Sequence, residues 1–251
     1  MPSVGSFDMS EFRLGVLVCD HVIEPLRQQF GDYDEMMGRL LSQASAPMTL
    51  VYYYVVDGEF PENITDCDGY ITTGSRAGAN DDEPWIRRLE QFIIALNEFN
   101  KAETEQAIKF VGVCFGHQLL AKALGGRVDR ADVGWGIGVA TTPILEEPSW
   151  ATAQQDEINL VVSHQDQVVS LPPDTDVILG NMFCPYAMIQ VGQHCLGLQG
   201  HPEFSRAYSE ALMEARRDRI PSDRISAGLA SLTLVPDDQL ILEWILSFLT
   251  N

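Results

Sequence analysis

Of the five cysteines in the chain, Cys114 stands in the surroundings that say most about chemistry. It is the centre of Gly112-Val113-Cys114-Phe115-Gly116, between an apolar run (Ile108 to Cys114) and a helical pattern (about His117 to Leu124) that Gly125-Gly126 stops. Gly-x-nucleophile-x-Gly between a strand and a helix is a nucleophile elbow, here with cysteine in the place of serine. A sharp turn strains the nucleophile's backbone, and glycines two residues to either side let neighbouring chain approach closely. The helix that follows aims its positive end at the sulfur, favouring the thiolate. The Phe115 N–H is placed to meet an oxyanion. A structural cysteine buried at the end of a core strand would fit the pentapeptide as well. A base within reach is what separates the two.

Five histidines are available. His21 and His194 lie beside strand ends in polar stretches, and His117, on the helix after the elbow, is placed to pack or cap. His164 and His201 remain. His201 sits in Leu198-Gln-Gly-His201-Pro202-Glu203-Phe204, after an apolar strand. Pro202 stiffens the turn, and Glu203 can accept a hydrogen bond from the imidazole, fixing its tautomer. The carboxyl ends of parallel strands share one edge, where ligands bind. Cys114 and His201 are therefore expected to meet there, far apart though they are in sequence.

The elements that must hold these residues follow from periodicity. Phe12 to Cys19, Thr49 to Val56, Gly69 to Thr73 and Ile108 to Cys114 read as buried strands; Pro25 to Ala44 and Pro84 to Phe99 read as helices. Strand–helix alternation predicts a parallel sheet with helices on both faces. From Val128 onward short strands dominate (Gly138 to Ile144, Asn159 to Ser163, Asp176 to Gly180, Ala187 to Val191, Cys195 to Gln199), expected to extend the sheet with mixed or antiparallel pairs. Glu146 to Glu157 suits a loop. Helices return at Ser205 to Arg219 and Pro236 to Leu249, with core-facing stripes of Ala207, Leu212, Met213 and Ala215, and of Leu240, Ile241, Trp244, Ile245, Phe248 and Leu249. No repeat or linker divides the 251 residues, so one domain is expected.

With 16 basic and 36 acidic residues the formal charge is −20, which repels phosphate backbones and anionic membranes. No apolar run of spanning length and no secretory pattern at the start is found, so a cytoplasmic protein is expected. The cysteines show no Cys-x-x-Cys pair, which argues against a disulfide framework or a zinc ribbon. No histidine set has ligand spacing and no glycine loop fits a nucleotide, so neither metal nor cofactor is expected.

Gly112 to Gln118 together with Gly200-His201-Pro202-Glu203 resembles the class I glutamine amidotransferases, the Cys-His-Glu triad enzymes. Ser163-His164-Gln165-Asp166-Gln167-Val168, followed by Leu171-Pro172, is similar to a loop of the GMP-synthetase-like branch. Asp68 to Ser75 is similar to the strand and turn that carry the second oxyanion amide. The resemblance covers about residues 12 to 205, leaving the C-terminal helices (about 205 to 250) outside it. It implies a flavodoxin-like α/β fold with a central, mostly parallel sheet. It also implies Cys114 as nucleophile, His201 as general base and acid, and Glu203 as its orienting partner. The oxyanion hole would use the amides of Phe115 and of Gly74 or Ser75. Gln118 would hold the substrate glutamine, and Ser163, His164, Gln165 and Asp166 its α-amino and α-carboxylate end.

The reaction implied is hydrolysis of a γ-glutamyl amide through a cysteine thioester. Where much of the family has Gly-Gly-Pro in the oxyanion turn, this chain has Gly74-Ser75-Arg76, and the Gly-Ser pair resembles the stand-alone branch that includes plant γ-glutamyl peptidases. No synthetase motif is present, so three functions compete: a stand-alone hydrolase, a glutaminase subunit feeding ammonia to a separate synthetase, and a silent binding protein on the same fold. A homodimer through the C-terminal stripes stays open. Arg216, Arg217 and Arg219 read as a solvated basic face. Trp135, Arg76 and Asn80 to Glu83 are expected to border the substrate pocket.

Overall fold

Short runs of β-branched and aromatic residues form the strands. The computed structural model describes residues 12–44, 48–102, 107–151 and 155–250. In it β1 (Arg13–Leu17), β2 (Thr49–Tyr53), β3 (Gly69–Thr72), β4 (Lys109–Val113) and β11 (Cys195–Leu198) lie parallel, in the order β2-β1-β3-β4-β11. β10 (Met188–Val191) and β9 (Thr175–Leu179) continue the seven-stranded sheet antiparallel.

Side chains alternate between the two faces. Leu14, Val16, Ile71, Val111 and Leu196 pack with Met36, Met37 and Leu40 of α2 (Tyr33–Leu41) and with Ile241, Trp244, Ile245 and Phe248 of α7 (Asp238–Thr250). Leu17, Tyr70 and Phe110 face Ile86, Leu89 and Ile93 of α3 (Pro84–Ala102) and Leu119 and Leu120 of α4 (Phe115–Ala123). Helices thus cover both faces, and strands this completely buried read as continuous apolar runs rather than alternating ones.

Two antiparallel ribbons stand at the carboxyl edge. β6 (Gly136–Pro143) pairs with β7 (Glu157–His164), and β5 (Arg127–Arg130) with β8 (Asp166–Ser170). The corner between β7 and β8 carries His164, Gln165 and Asp166. The His201 N–H donates to the Val161 carbonyl at 2.8 Å, which ties that corner to the segment leaving β11. α5 (Arg206–Ala215) and α6 (Ser222–Ser231) cover the outside, and the Ser231 hydroxyl accepts from the Val139 N–H at 2.8 Å.

Several expectations need correcting. The helix expected over Pro25 to Ala44 is two, α1 (Leu26–Phe30) and α2. The break falls at Gly31, with φ of 87°, and Asp32, which forms a capping box with Glu35. The strand from Thr49 stops at Tyr53, because Val55–Asp57 closes a single 3-10 turn. Only β9, β10 and β11 of the β-rich half join the main sheet; the rest form the ribbons. β8 and α6 have no counterpart among the expected elements. Ala207 and Ala215 are exposed, and Tyr208 and Ser209 join Leu212 and Met213 on the buried side of α5. Residues 152–154, within the stretch expected to loop, lie outside the described residues.

Candidate active site

The elbow is built by three close approaches. The Cys114 N–H donates to the Leu198 carbonyl on the neighbouring strand at 2.7 Å, and α4 begins at once with Phe115, two residues earlier than its apolar pattern suggests. A Cβ on Gly112 would lie 2.5 Å from the Gly116 carbonyl carbon, and one on Gly116 would run into the Thr72 hydroxyl. Only glycine at both positions lets α4 fold back against β4 and β3. Between them Cys114 adopts φ 51° and ψ −95°, a left-handed backbone that costs about 1–3 kcal/mol in a residue with a side chain.

β11 is the parallel neighbour of β4, with Leu198 opposite Val113. His201, three residues beyond, is thereby delivered to the Cys114 side of the sheet edge, close enough for its ring to feel the charge of the sulfur. Its ring lies flat on Phe204, with centroids 3.9 Å apart and planes 4° from parallel. Gly74 closes another side: a Cβ there would sit 2.7 Å from His201 Cε1. Nδ1 is 2.7 Å from Glu203 Oε1. The Glu203 side chain is wholly buried, and its Oε2 has no partner among the described residues, so the carboxylate is directed at the imidazole. Burial pushes the imidazole pKa down. The Glu203 charge, then the Cys114 sulfur and the hydrogen bond to Glu203, overcome it and raise the pKa to about 10. The arrangement favours the protonated imidazole, which stands between the Glu203 carboxylate and the Cys114 sulfur.

The turn after β3 is held by Asp20, a buried residue just beyond β1. One carboxylate oxygen accepts from the Arg76 N–H at 2.7 Å and from Nε at 2.8 Å, and the other from Nη2 at 2.8 Å. The Ala77 N–H donates to the Ser75 hydroxyl and the Gly78 N–H to Asp81. That leaves Gly74 and Ser75 with the amides in this turn that have no acceptor among the described residues. The Phe115 N–H, first in its helix, has no partner within the helix either.

A cavity of about 440 Å³ opens over the sulfur, within the range of small-molecule sites. Cys114, Phe115, Ser75, Gln118 and the whole Ser163 to Asp166 corner line it, with Arg76, Arg130, Trp135, Arg216 and Arg219. Gly74 is not in the lining. Gln118 Nε2 donates to the Asp166 carbonyl at 2.8 Å and to Gln199 Oε1 at 3.2 Å, which leaves its carbonyl oxygen for a ligand. Gln199 Nε2 in turn reaches Cys114 Sγ at 3.5 Å. Sequence reasoning missed Gln199, although it immediately precedes Gly200-His201, and missed Asp20. Burial brings the His164 pKa down to about 4, so that ring is neutral near pH 7. Trp135 and Arg76 border the cavity as expected. Asn80 to Glu83 do not, and Asn80 Nδ2 donates instead to the Val128 carbonyl at 2.8 Å. Arg216 and Arg219, read as a solvated face, turn toward the cavity; Arg217 pairs with Glu214 in solvent.

The other histidines stand apart. His117 is wholly buried against Gly197, its pKa pushed to about 3 by burial. His21 pairs with Asp32 and Asp57. Among the described residues no helix is long and apolar enough to cross a membrane, and no group of side chains could hold a metal ion.

Cys114 should be the thiol that reacts. Burial raises the pKa of Cys19 and Cys67, and takes Cys184 and Cys195 to about 12. Iodoacetamide at pH 7 is expected to label Cys114 about 100-fold faster than the other four, as read by peptide mass spectrometry. Comparable labelling of any other cysteine would contradict the choice of Cys114 as the nucleophile.

Comparison with known proteins points to one family. The sequence model of the class-I glutamine amidotransferases matches residues 87–216. The chain is 30% identical over 187 residues to γ-glutamyl peptidase 4 of Arabidopsis thaliana, covering 72% of this chain and 71% of that protein. It is 27% identical over 176 residues to one subunit of the glutamine-hydrolysing GMP synthase of Archaeoglobus fulgidus, covering 69% of this chain and 85% of that one. A glutamine amidotransferase from Thermotoga maritima superposes with a TM-score of 0.70 at 19% identity, over 96% of this chain and 99% of that one; at that identity the likeness is one of fold.

Proposed function

The chain belongs to the class-I glutamine amidotransferase family, and from that premise we propose that it hydrolyses γ-glutamyl amides or peptides, glutamine included, through a thioester on Cys114. The observation that carries the proposal is the pairing behind the cavity: Glu203 at 2.7 Å from one imidazole nitrogen of His201, and the ring within the electrostatic reach of the Cys114 sulfur that lines the cavity.

The Cys114 thiolate attacks the γ-carbonyl carbon, and the carbonyl oxygen becomes an oxyanion. The Phe115 N–H and that of Ser75, which lines the cavity, meet it; one such donor is typically worth about 10²–10³ in rate. The carbon–nitrogen bond breaks as His201 passes its proton to the leaving amine. The sulfur is now an uncharged thioester, so one of the influences that held the proton on His201 is gone and the ring becomes a base. It takes a proton from water, the hydroxyl adds to the thioester carbon, and the carbon–sulfur bond breaks. Glutamate leaves, and thiolate and imidazolium are restored. Glu203 keeps Nδ1 occupied throughout, so the exchange runs through the other nitrogen.

The similarity to a GMP synthase subunit, over 85% of its length, supports a second reading in which the amine released is ammonia for a separate synthetase. Purified protein given glutamine or a γ-glutamyl dipeptide, with glutamate release measured, separates the two. Brisk turnover of the dipeptide without any partner is the expected result. Turnover of glutamine only when a synthetase is added would favour the second reading, and glutamate from neither substrate would end the first.

A further inference from the structure

We propose that Arg216 and Arg219 hold a carboxylate of the departing amine, so that the preferred substrate is a γ-glutamyl peptide with an anionic leaving group rather than free glutamine; this rests on the hydrolysis proposed for Cys114. Charge placement points there. In a chain of net charge −20 with 16 basic residues, four arginines and a single acidic residue, Asp166, line the cavity over Cys114. Arg76 is neutralised by Asp20. Arg130 Nε stands 3.7 Å from Asp166 Oδ1. Those two opposed charges match the ammonium and carboxylate of an amino-acid end, and so can receive the glutamyl half of the substrate.

Two guanidinium groups are then left over. Arg216 has no carboxylate partner among the described residues. It donates from Nη1 to the Ser163 hydroxyl at 2.9 Å and stands over the Trp135 ring at 5.9 Å. Arg219 has only the adjacent Asp218, at 3.8 Å, with both side chains well exposed. Both are set by the end of α5. Arg216 is its C-cap residue, and Ile220, packed with Ile137, Met213 and Ile225, anchors the turn that follows. Free glutamine, a zwitterion, satisfies Arg130 and Asp166 and leaves the second pair uncompensated. A γ-glutamyl amino acid brings one more carboxylate, on the leaving side. A planar fork of N–H donors suits a carboxylate better than any neutral group.

The test is a ratio. kcat/KM is measured for γ-glutamyl-glycine and for γ-glutamyl-glycinamide, which differ in the leaving-group carboxylate, in the wild type and in Arg216→Gln, Arg219→Gln, the double variant and Arg216→Lys. The acid-to-amide ratio is expected to fall about 10-fold in each glutamine variant and further in the double, chiefly through KM, with Arg216→Lys keeping part of it. The ratio is internal to each preparation, so partial misfolding does not disturb it, and Arg219→Gln alters an exposed side chain. A third substrate, amidated at the glutamyl α-carboxylate, tests the other source of negative charge. If the arginine variants lose discrimination there and not at the leaving group, the proposal is overturned. An unchanged acid-to-amide ratio in every variant also overturns it while leaving the proposed hydrolysis intact. Absence of turnover of any of these compounds by the wild type would instead overturn the hydrolase reading, and this inference with it.

Discussion

Cys114→Ala is expected to lower γ-glutamyl hydrolysis by about 10⁴-fold or more in kcat/KM while leaving the protein folded. The thiol accepts one long hydrogen bond, from Gln199 at 3.5 Å, and its loss leaves a space that opens into the cavity. The backbone at 114 adds a second, sharper expectation. With φ at 51°, alanine keeps the strain that cysteine bears and glycine relieves it. Cys114→Gly should be equally inactive yet more stable than Cys114→Ala by about 1 kcal/mol, after allowing for the greater freedom glycine gives the unfolded chain. In a chain of this size that is a difference of about 2–4 °C in melting temperature. Melting of the glycine variant at or below the alanine variant would show that the elbow stores no strain. Activity surviving in Cys114→Ala would move the chemistry to another residue.

Glu203→Gln carries the second large effect. The substitution keeps the shape of a wholly buried side chain and removes only its charge, so kcat should fall by about 10²–10⁴-fold with the fold preserved. The cause is that the imidazolium loses the foremost influence raising its pKa. With the ring less readily protonated beside the sulfur, alkylation of Cys114 should slow in parallel with hydrolysis. Stability gives an independent reading. His201 titrates at about 10 in the folded protein against an ordinary 6.5, so the native state binds a proton that the unfolded state does not. The stability it contributes is fully present below about pH 6.5 and drains away as pH rises through 10. The melting-temperature gap between wild type and Glu203→Gln should therefore narrow between pH 6.5 and 10. A gap that widened over that interval would mean that Glu203 does not hold the proton on His201.

Much of this architecture was legible because it obeys local rules. Glycines at 112 and 116 announce the elbow, since no other residue allows that approach of helix to strand. The meeting of residues 114 and 201 follows from parallel strands ending at a common edge. What escaped the sequence did so for physical reasons. α6 buries little beyond Ile225 and Gly228, so it carries almost no helical stripe. β8 pairs only with the edge of a small ribbon, and its five residues leave periodicity little to work with. The break between α1 and α2 was written in Asp32-Tyr33-Asp34-Glu35, a capping-box signature that the apolar spacing on either side masked. Arg216 and Arg219 could not be told from solvated charges, because whether a helix end faces water or a cavity depends on the element packed beside it. Gln199 and Asp20 matter through partners far away in sequence, and a single chain read in order does not reveal them.

The tether between Asp20 and Arg76 bears on how the protein keeps its readiness. In the family's commoner turn a proline ring makes the loop stiff by covalent means; here an electrostatic clasp does that work from the tip of a neighbouring strand. Stiffness of this kind has an exposed flank at Arg76, and concentrated salt or strong acid can reach a clasp where neither could soften a ring.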